Sequence, residues 1–432
     1  MDAACDYFEK ALAAEPTLYG ARGMRLLANL YRHSSDSAAL RELQQEWAGQ
    51  RATGVKQPVF KNDLSPDWPL RIGFISSDFR AHSVGFNMLP LYQRLDRQAF
   101  RLHAYAEVAN PDAATHLFKE ASDVWRSTVG MTDAEVAQTI TEDKIDILVI
   151  LAGHLDENRP YVARYRCAPV QVSHHDICTS GMAEIDYFIG DSFVMPRDGA
   201  EWFSERVLRL PNFTVHSIPA EAGDPGSLPV LTNKHITFGS FNAPQKISDR
   251  CLDAWAALLH AVPGSHLILA HFEAYSETAT RERVIGRIAD RGIGRDRVSV
   301  LESVDLRSAH LRAYDQIDIA LDPFPFSGAT TTFEALLMGV PVISLAGDRF
   351  VSRCSAATLQ AAGLGVWIAD DVESYVSRAV VLATDIDRLA AIRMRVRQAV
   401  TQSRVCDADR YARNMGRIYR AIWRRWCSQS TV

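Results

Sequence analysis

Between an apolar stretch ending at Asp322 and a second apolar run, Val340 to Leu345, lies PFPFSGATTTFEALLMG, residues 323–339. Thr330, Thr331 and Thr332 set three hydroxyls where strand-like sequence gives way to helix-like sequence, and Glu334 follows within a turn. The first turn of a helix carries unpaired N–H groups and the positive end of the helix dipole, which together attract an anion such as phosphate. Gly328 lets a ligand approach the backbone closely, and threonine hydroxyls add uncharged donors. A carboxylate at Glu334 can accept hydrogen bonds from ribose hydroxyls. The competing reading is a plain N-cap, with one threonine capping the helix and the others incidental. No Gly-x-x-x-x-Gly-Lys occurs, so the segment is not a P-loop.

The elements that position such a turn follow from periodicity. From Leu70 onward short apolar runs alternate with helical stretches: LRIGFIS, FRLHAYAE, IDILVILAG and APVQVSHHDI before residue 180, then HITFGSF, SHLILAH, RVSVLES, IDIALDPF and VPVISLAG after residue 234. Continuous apolar strands separated by helices indicate parallel sheets covered on both faces. The stretch 210–233 carries four prolines and no periodicity and reads as a linker. The expected fold class is therefore α/β, with two Rossmann-like domains facing a cleft and ligands beyond the carboxyl ends of the strands. Residues 1–57 read as helices, with Phe8, Ala11 and Leu12 on one face and Leu26, Leu27, Leu30 and Tyr31 on another. QPVFKNDLSPDWP then breaks the pattern. The expected boundaries are 1–57 helical, 68–212 and 232–405 for the two sheets, and 406–432 for a C-terminal helix whose arginines either face solvent or meet an acidic partner.

Composition excludes some classes. Of 432 residues, 47 are basic and 52 acidic, a formal charge of −5, so bulk binding to nucleic acid or an anionic membrane is not expected. No apolar run reaches the roughly 18 residues of a spanning helix. The N-terminus has acidic residues and no secretory pattern, and the seven cysteines are scattered without a CxxC, which suggests reduced thiols in the cytoplasm.

Several blocks, in order, resemble glycosyltransferase family 41, which holds the O-linked N-acetylglucosamine transferases and the SPINDLY-type proteins. They are LRIGFISSDFRAHSVGF (70–86), IDILVILAGH with NRP and APVQVS (145–173), TFGSFNAPQKIS (237–248), and AHLRAYDQIDIALDPFPFSGATTTFEALLMGVPV (309–342). The resemblance spans roughly residues 60–428 and implies a GT-B architecture. It further implies inverting, metal-independent transfer of a sugar from a nucleotide diphosphate to a protein Ser or Thr hydroxyl. UDP-N-acetylglucosamine is the leading donor, and no cofactor is expected. By this resemblance Lys246 supplies the cation that neutralises the departing diphosphate. His82 accepts or orients the acceptor proton, with Asp78 in the same loop. Arg307 and His310 match positions facing base and phosphates. Gly328, Thr330, Thr331 and Thr332 match the diphosphate grip, Glu334 the ribose contact, and Asn242 the residue ordering the lysine loop. His154, with Asn158 and Arg159, resembles a bacterial pattern on the acceptor side.

The chain also departs from the family. After APVQ, members carry an apolar-aromatic run, whereas SHHDICTSG (173–181) stands here and places His174, His175 and Asp176 on the expected acceptor side. Adjacent histidines point opposite ways along a strand and rarely chelate one ion, so no metal is expected there. Ala329, Ala243 and Ala313 replace residues that some members use, which leaves another donor such as GDP-fucose open. A pseudoenzyme that binds nucleotide sugar and regulates another glycosyltransferase is the alternative of a different class. YFEKALAAEP (7–16) resembles one helix of a tetratricopeptide repeat, a remnant too short to stand alone. The expected partner is an acceptor protein, a surface or flagellar subunit for example.

Overall fold

The computed structural model describes residues 2–16, 18–32, 37–49, 59–155, 157–272, 274–301 and 307–430. The junction expected near 55–58, the end of the RVSVLES run (302–303) and the start of DLRSAHLRAY (305–306) lie outside these residues. The chain forms two compact units. One, the N-sheet unit, comprises Ala4–Leu27, Asp36–Ser217 and Asp407–Val432; the other, the C-sheet unit, comprises Met1–Ala3, Ala28–Ser35 and Ile218–Cys406.

The N-sheet unit holds seven strands: β1 (Leu70–Ser76), β2 (Phe100–Ala106), β3 (Val124–Ser127), β4 (Ile147–Leu151), β5 (Val170–His174), β6 (Tyr187–Asp191) and β7 (Arg206–Leu210). Their order is β3-β2-β1-β4-β5-β6-β7, and every pairing is parallel, with Ile72 opposite Ile147 across the β1–β4 seam. The C-sheet unit holds β8 (Thr237–Ser240), β9 (His266–Leu269), β10 (Val298–Val300), β11 (Ile319–Leu321), β12 (Val342–Leu345) and β13 (Ile368–Ala369) in the order β10-β9-β8-β11-β12-β13. These two sheets bear out the α/β expectation. β4 and β5 are buried along their whole length, as a strand covered on both faces requires.

In each sheet the chain moves outward from one strand and returns to that strand's other side. The loops after β1 and β4, and after β8 and β11, thus leave neighbouring strand ends in opposite directions. That reversal is where open α/β sheets form a crevice. The blocks around SSDFRAH, LAGH, FNAPQK and PFPFSGATTT all begin at these four strand ends.

Helices α1 (Asp2–Ala14), α2 (Tyr19–Leu30) and α3 (Ser37–Ala48) open the chain, and the end of α2 belongs to the C-sheet unit while α3 belongs to the N-sheet unit. The final helix, Ala408–Ser430, returns to the N-sheet unit. Tyr411, Met415, Tyr419, Ile422 and Trp423 enter its core together with Phe74 and Tyr92. Arg420 donates to the carbonyls of Pro66 and Trp68, and Arg424 pairs with Asp67, while Arg413 and Arg417 are exposed. No helix among the described residues is long and apolar enough to cross a membrane.

Candidate functional site

In the C-sheet unit the loop leaving β11 is organised by one buried carboxylate. Oδ1 of Asp322 accepts from the Gly328 backbone N–H at 2.7 Å and from the Ser355 hydroxyl at 2.8 Å, and Oδ2 accepts from Ser344 at 2.7 Å. The Tyr375 hydroxyl donates to the Asp322 carbonyl at 3.0 Å. Burial pushes the Asp322 carboxyl up to about 6, against the pull of these donors. The result is a tightly folded Ser327–Gly328 turn at the mouth of the helix Thr330–Leu337. A Cβ on Gly328 would lie 2.6 Å from the Thr331 hydroxyl and 3.0 Å from Asp322 Oδ1, so only glycine fits without displacement.

The three threonines do not share one environment. Thr330 and Thr331 are half-buried at the helix entrance. Thr331 donates to Asn242 Oδ1 at 3.0 Å, which ties the helix entrance to the loop after β8. Thr332 is 2 % exposed, and its hydroxyl is engaged by Ser355 at 2.6 Å, facing the core.

Lys246 stands at the end of the short 3-10 turn Pro244–Lys246 after β8. Its Nζ donates to the Ser327 carbonyl at 2.8 Å and lies 4.7 Å from the centroid of the Phe326 ring. Burial lowers its pKa, with Asp322 opposing. The amine from the FNAPQK loop and the backbone that opens the threonine helix therefore meet. The ammonium contributes a charge, the helix entrance contributes N–H groups, and both face the same turn. Burial and Lys246 also hold nearby His271 down at about 4, so it is neutral at neutral pH.

One helical turn further in, Glu334 is 5 % exposed and its Oε2 lies 3.1 Å from His310 Nε2. The His310 ring stacks on Phe272 with centroids 4.9 Å apart and meets Tyr314 edge-on. Arg307 opens the same helix, Arg307–Ala313; burial lowers its pKa and Glu334 opposes that shift. Arg307, His310 and Glu334 thus form one group beside the threonine turn.

In the N-sheet unit, His82 caps the helix α4 (Ser83–Arg94), and its Nδ1 lies 3.1 Å from Asp78 Oδ1. Asp78 is 1 % exposed, and its Oδ2 accepts from Asn158 Nδ2 at 3.0 Å. Asn158 Oδ1 in turn accepts from the Ser77 N–H and the Ser76 hydroxyl. The same Nδ1 faces the Val84 backbone N–H at 3.4 Å and Asp78 Oδ1; in the tautomer with the ring proton on Nδ1, Asp78 accepts it and the lone pair is left at Nε2, the arrangement a general base needs. Gly85 sits where a Cβ would lie 2.3 Å from the Arg80 carbonyl, which keeps this loop folded close against α4. Arg159 holds the neighbouring loop through Glu107 and Asp133.

His154 is 3 % exposed at its side chain. Its Nδ1 meets Asp176 Oδ2 at 2.9 Å, its Nε2 lies 3.8 Å from Cys178 Sγ, and Trp47 of α3 stacks on its ring at 4.0 Å. Burial disfavours a charge on His154, yet the Asp176 carboxylate, then Cys178, hold its pKa well above the usual histidine range. Burial pushes the Cys178 thiol up, with His154 opposing, a direction that does not favour the thiolate a nucleophile needs. His174 is fully buried and lies 3.2 Å from the Tyr411 hydroxyl of the final helix. His175 turns through the left-handed region at φ 57°, and burial lowers it to about 4. Because His175 leaves the extended conformation, the two rings do not point opposite ways, as a continuous strand was expected to make them, but meet edge-on with centroids 4.4 Å apart. No group of three or more His, Cys, Asp or Glu among the described residues is arranged to hold a metal ion.

Sequence reasoning did not single out Asp322, Phe326, Cys178 or Trp47. Asp322 directly follows the strand Ile319–Leu321, a place where a carboxylate can fold a loop. The other contacts join residues far apart in the chain and leave no local signal.

A sequence model of Glycosyl transferase family 41 matches residues 53–216 and 227–415. The chain is 35% identical over 428 residues to a rice (Oryza sativa subsp. japonica) protein named probable UDP-N-acetylglucosamine–peptide N-acetylglucosaminyltransferase SPINDLY, covering 97% of this chain and 46% of that protein. It is 29% identical over 371 residues to the Arabidopsis thaliana protein of the same description named SEC, covering 83% of this chain and 38% of that one. The chain thus spans about half the length, or less, of these curated relatives. Among solved structures it is similar to a lysine-to-methionine mutant of the Thermobaculum terrenum O-GlcNAc transferase, with a TM-score of 0.93 and 31% identity over 99% of this chain and 81% of that one. Anabaena HepE in complex with UDP and glucose shares the fold at a TM-score of 0.51 and 14% identity, covering 82% of this chain and 99% of that one. With the family's sequence pattern matched across both sheets and this structural likeness over nearly its whole length, the chain belongs to glycosyltransferase family 41.

Proposed function

We propose that the chain transfers a sugar, with N-acetylglucosamine the first candidate, from a UDP-sugar to a Ser or Thr hydroxyl of a protein, with inversion and without a metal ion. The observation that carries this reading is the meeting of Lys246 Nζ with the Ser327–Gly328 turn at the entrance of the threonine helix. The acceptor oxygen attacks the anomeric carbon as the bond to the diphosphate breaks, so negative charge grows on the departing β-phosphate. Lys246, released from the Ser327 carbonyl, neutralises that charge, and the helix entrance donates to the remaining oxygens. Thr330 and Thr331 add hydroxyl donors, whereas Thr332 pins the helix to Ser355. Glu334, oriented by His310, accepts from the ribose, and Arg307 attends the base and phosphates. His82, fixed by Asp78, takes or orients the acceptor proton. His154 and the segment 175–181 shape the acceptor side, while His174, expected there, serves the core instead. The names borne by the relatives support the donor and the peptide acceptor. The cytoplasm, and an acceptor such as a surface or flagellar protein, belong to the same proposal.

The test is incubation with UDP-N-acetylglucosamine, UDP-glucose and GDP-fucose in the presence of lysate proteins, with product masses read by mass spectrometry. Added N-acetylhexosamine mass on Ser or Thr supports the proposal. Deoxyhexose mass from GDP-fucose alone moves the donor to GDP-fucose. Tight nucleotide-sugar binding with no transfer to any protein overturns the catalytic reading in favour of a binding protein.

A further inference from the structure

The helical segment that opens the chain reaches the lysine pocket. Tyr31, just past α2, stacks on Phe326 with ring centroids 4.6 Å apart and planes at 28°. Phe326 is the ring whose centroid lies 4.7 Å from Lys246 Nζ. The Tyr31 hydroxyl is hydrogen-bonded to Gln245, the residue before the lysine. Next to it, buried Arg349 donates from Nη2 to the Arg32 carbonyl at 3.1 Å, which fastens this turn of chain to the C-sheet unit. All of these residues belong to that unit.

An ammonium withdrawn from water keeps its charge only if its surroundings replace hydration. The Ser327 carbonyl supplies one hydrogen bond, and the ring face supplies attraction through its quadrupole. A ring does this only in one orientation, so what fixes the Phe326 ring also fixes the cation. We propose that Tyr31 is a positioning residue for Lys246, clamping the Phe326 ring beside the ammonium, so that the helical segment ahead of the sheets completes the cation's pocket. This rests on the role given to Lys246 above, but the clamp is testable without it. The charged and titratable groups facing Lys246 are Asp322 from the end of β11, Cys354 from the helix Cys354–Ala361, and His271 after β9. Tyr31 faces the Phe326 side, and burial raises its own hydroxyl to about 12, so it does not titrate in the range that matters.

The test compares Tyr31→Leu, Tyr31→Phe and Gln245→Ala by NMR titration of the Lys246 side chain in protein carrying labelled lysine, assigned with Lys246→Arg, alongside the pH profile of transfer. Tyr31→Leu is expected to lower the Lys246 titration by about half a unit to one unit, the range of a weakened cation–π contact. The alkaline limb of the pH profile then moves down with it, because the ammonium is lost at lower pH. Tyr31→Phe restores both, and Gln245→Ala changes neither. Unchanged Lys246 titration in Tyr31→Leu overturns the inference, as does a Tyr31→Phe variant that behaves like Tyr31→Leu. Should Tyr31→Leu fail to fold, Tyr31→Met fills the volume without a ring and carries the same expectation. A shifted titration with an unmoved pH profile upholds the clamp and counts instead against the catalytic role of Lys246.

Discussion

The two sheets of this chain share one strand order, apart from the extra edge strand β7 of the first, and put their candidate residues at equivalent places, yet the residues differ in kind. The loops after β8 and β11 bring together an ammonium, backbone N–H groups and hydroxyls, with Asp322 buried beneath as the organiser. The loops after β1 and β4 bring together histidines and carboxylates, His82 with Asp78 and His154 with Asp176. Topology thus fixes where these clusters sit, and residue type decides what the proposed function asks of each: holding an anion in one unit, managing a proton in the other. The comparison also shows a difference in wiring. In the C-sheet unit a single carboxylate orders the whole turn, whereas in the N-sheet unit each histidine has its own.

The contrast is sharpest where a side chain acts in the reaction. His82→Ala is expected to reduce turnover by about 100- to 10,000-fold, the range for a lost general acid or base. Donor affinity, measured by calorimetry, should hold near the wild-type value. A His82→Ala protein with normal turnover breaks the assignment of proton chemistry to the N-sheet unit. Gly328→Ala comes next. The added methyl would crowd the Thr331 hydroxyl and Asp322, so UDP affinity should fall by about tenfold or more and the melting temperature should drop, as for a core strained by about 1–3 kcal/mol. Unaltered affinity and melting would show that the turn is not as tight as its geometry implies.

Smaller effects separate the threonines. Thr331→Val is expected to raise the KM for donor several-fold with little loss of stability. Thr332→Val is expected to cost about 1 kcal/mol of stability through the partner left at Ser355, with donor KM unchanged. The reverse pattern would return Thr332 to the diphosphate grip and Thr331 to the scaffold.

The smallest effect lies in pH. His175 is held neutral in the folded state at about 4, below its ordinary value near 6.5. As pH falls below about 6.5 the unfolded chain takes the proton first, so stability is full above that value and is lost progressively toward pH 4. His174, also depressed by burial, adds to the same slope. His175→Asn, which tolerates the left-handed backbone, should flatten the fall in melting temperature across this window; an unchanged slope would show that His175 is not what titrates.

Much of this was legible in sequence, for physical reasons that differ by element. β4 and β11 are continuous apolar runs, β1 is apolar apart from Arg71 and Ser76, and β5 and β8 lie in the β-rich runs APVQVSHHDI and HITFGSF; the segments after them carry glycine, proline and polar residues that mark loops. β3 and β7 were not legible: Val124–Ser127 and Arg206–Leu210 are edge or near-edge strands with polar or charged side chains, so their hydropathy looks like loop. The threonine turn was legible as a helix entrance, but not that Thr332 faces inward, because Ser355 is its partner from another helix. His154 stood out in the LAGH block, while its pairing with Asp176 and its cover by Trp47 depend on contacts across 22 and 107 positions that no local pattern encodes. The SHHDICTSG segment marked itself by departing from the family, and the structure divides it: His174 is part of the core against Tyr411, and Asp176 pairs with His154.

The central claim is that Lys246 and the threonine-helix entrance hold the same diphosphate. A double-mutant cycle on UDP affinity with Lys246→Met and Thr331→Val, measured by calorimetry, tests it most directly. The account predicts that each change weakens UDP binding and that the two effects fail to add by about 0.5–3 kcal/mol, because both groups act on one ligand. Binding of UDP by both single variants as tightly as by the unaltered chain would contradict it.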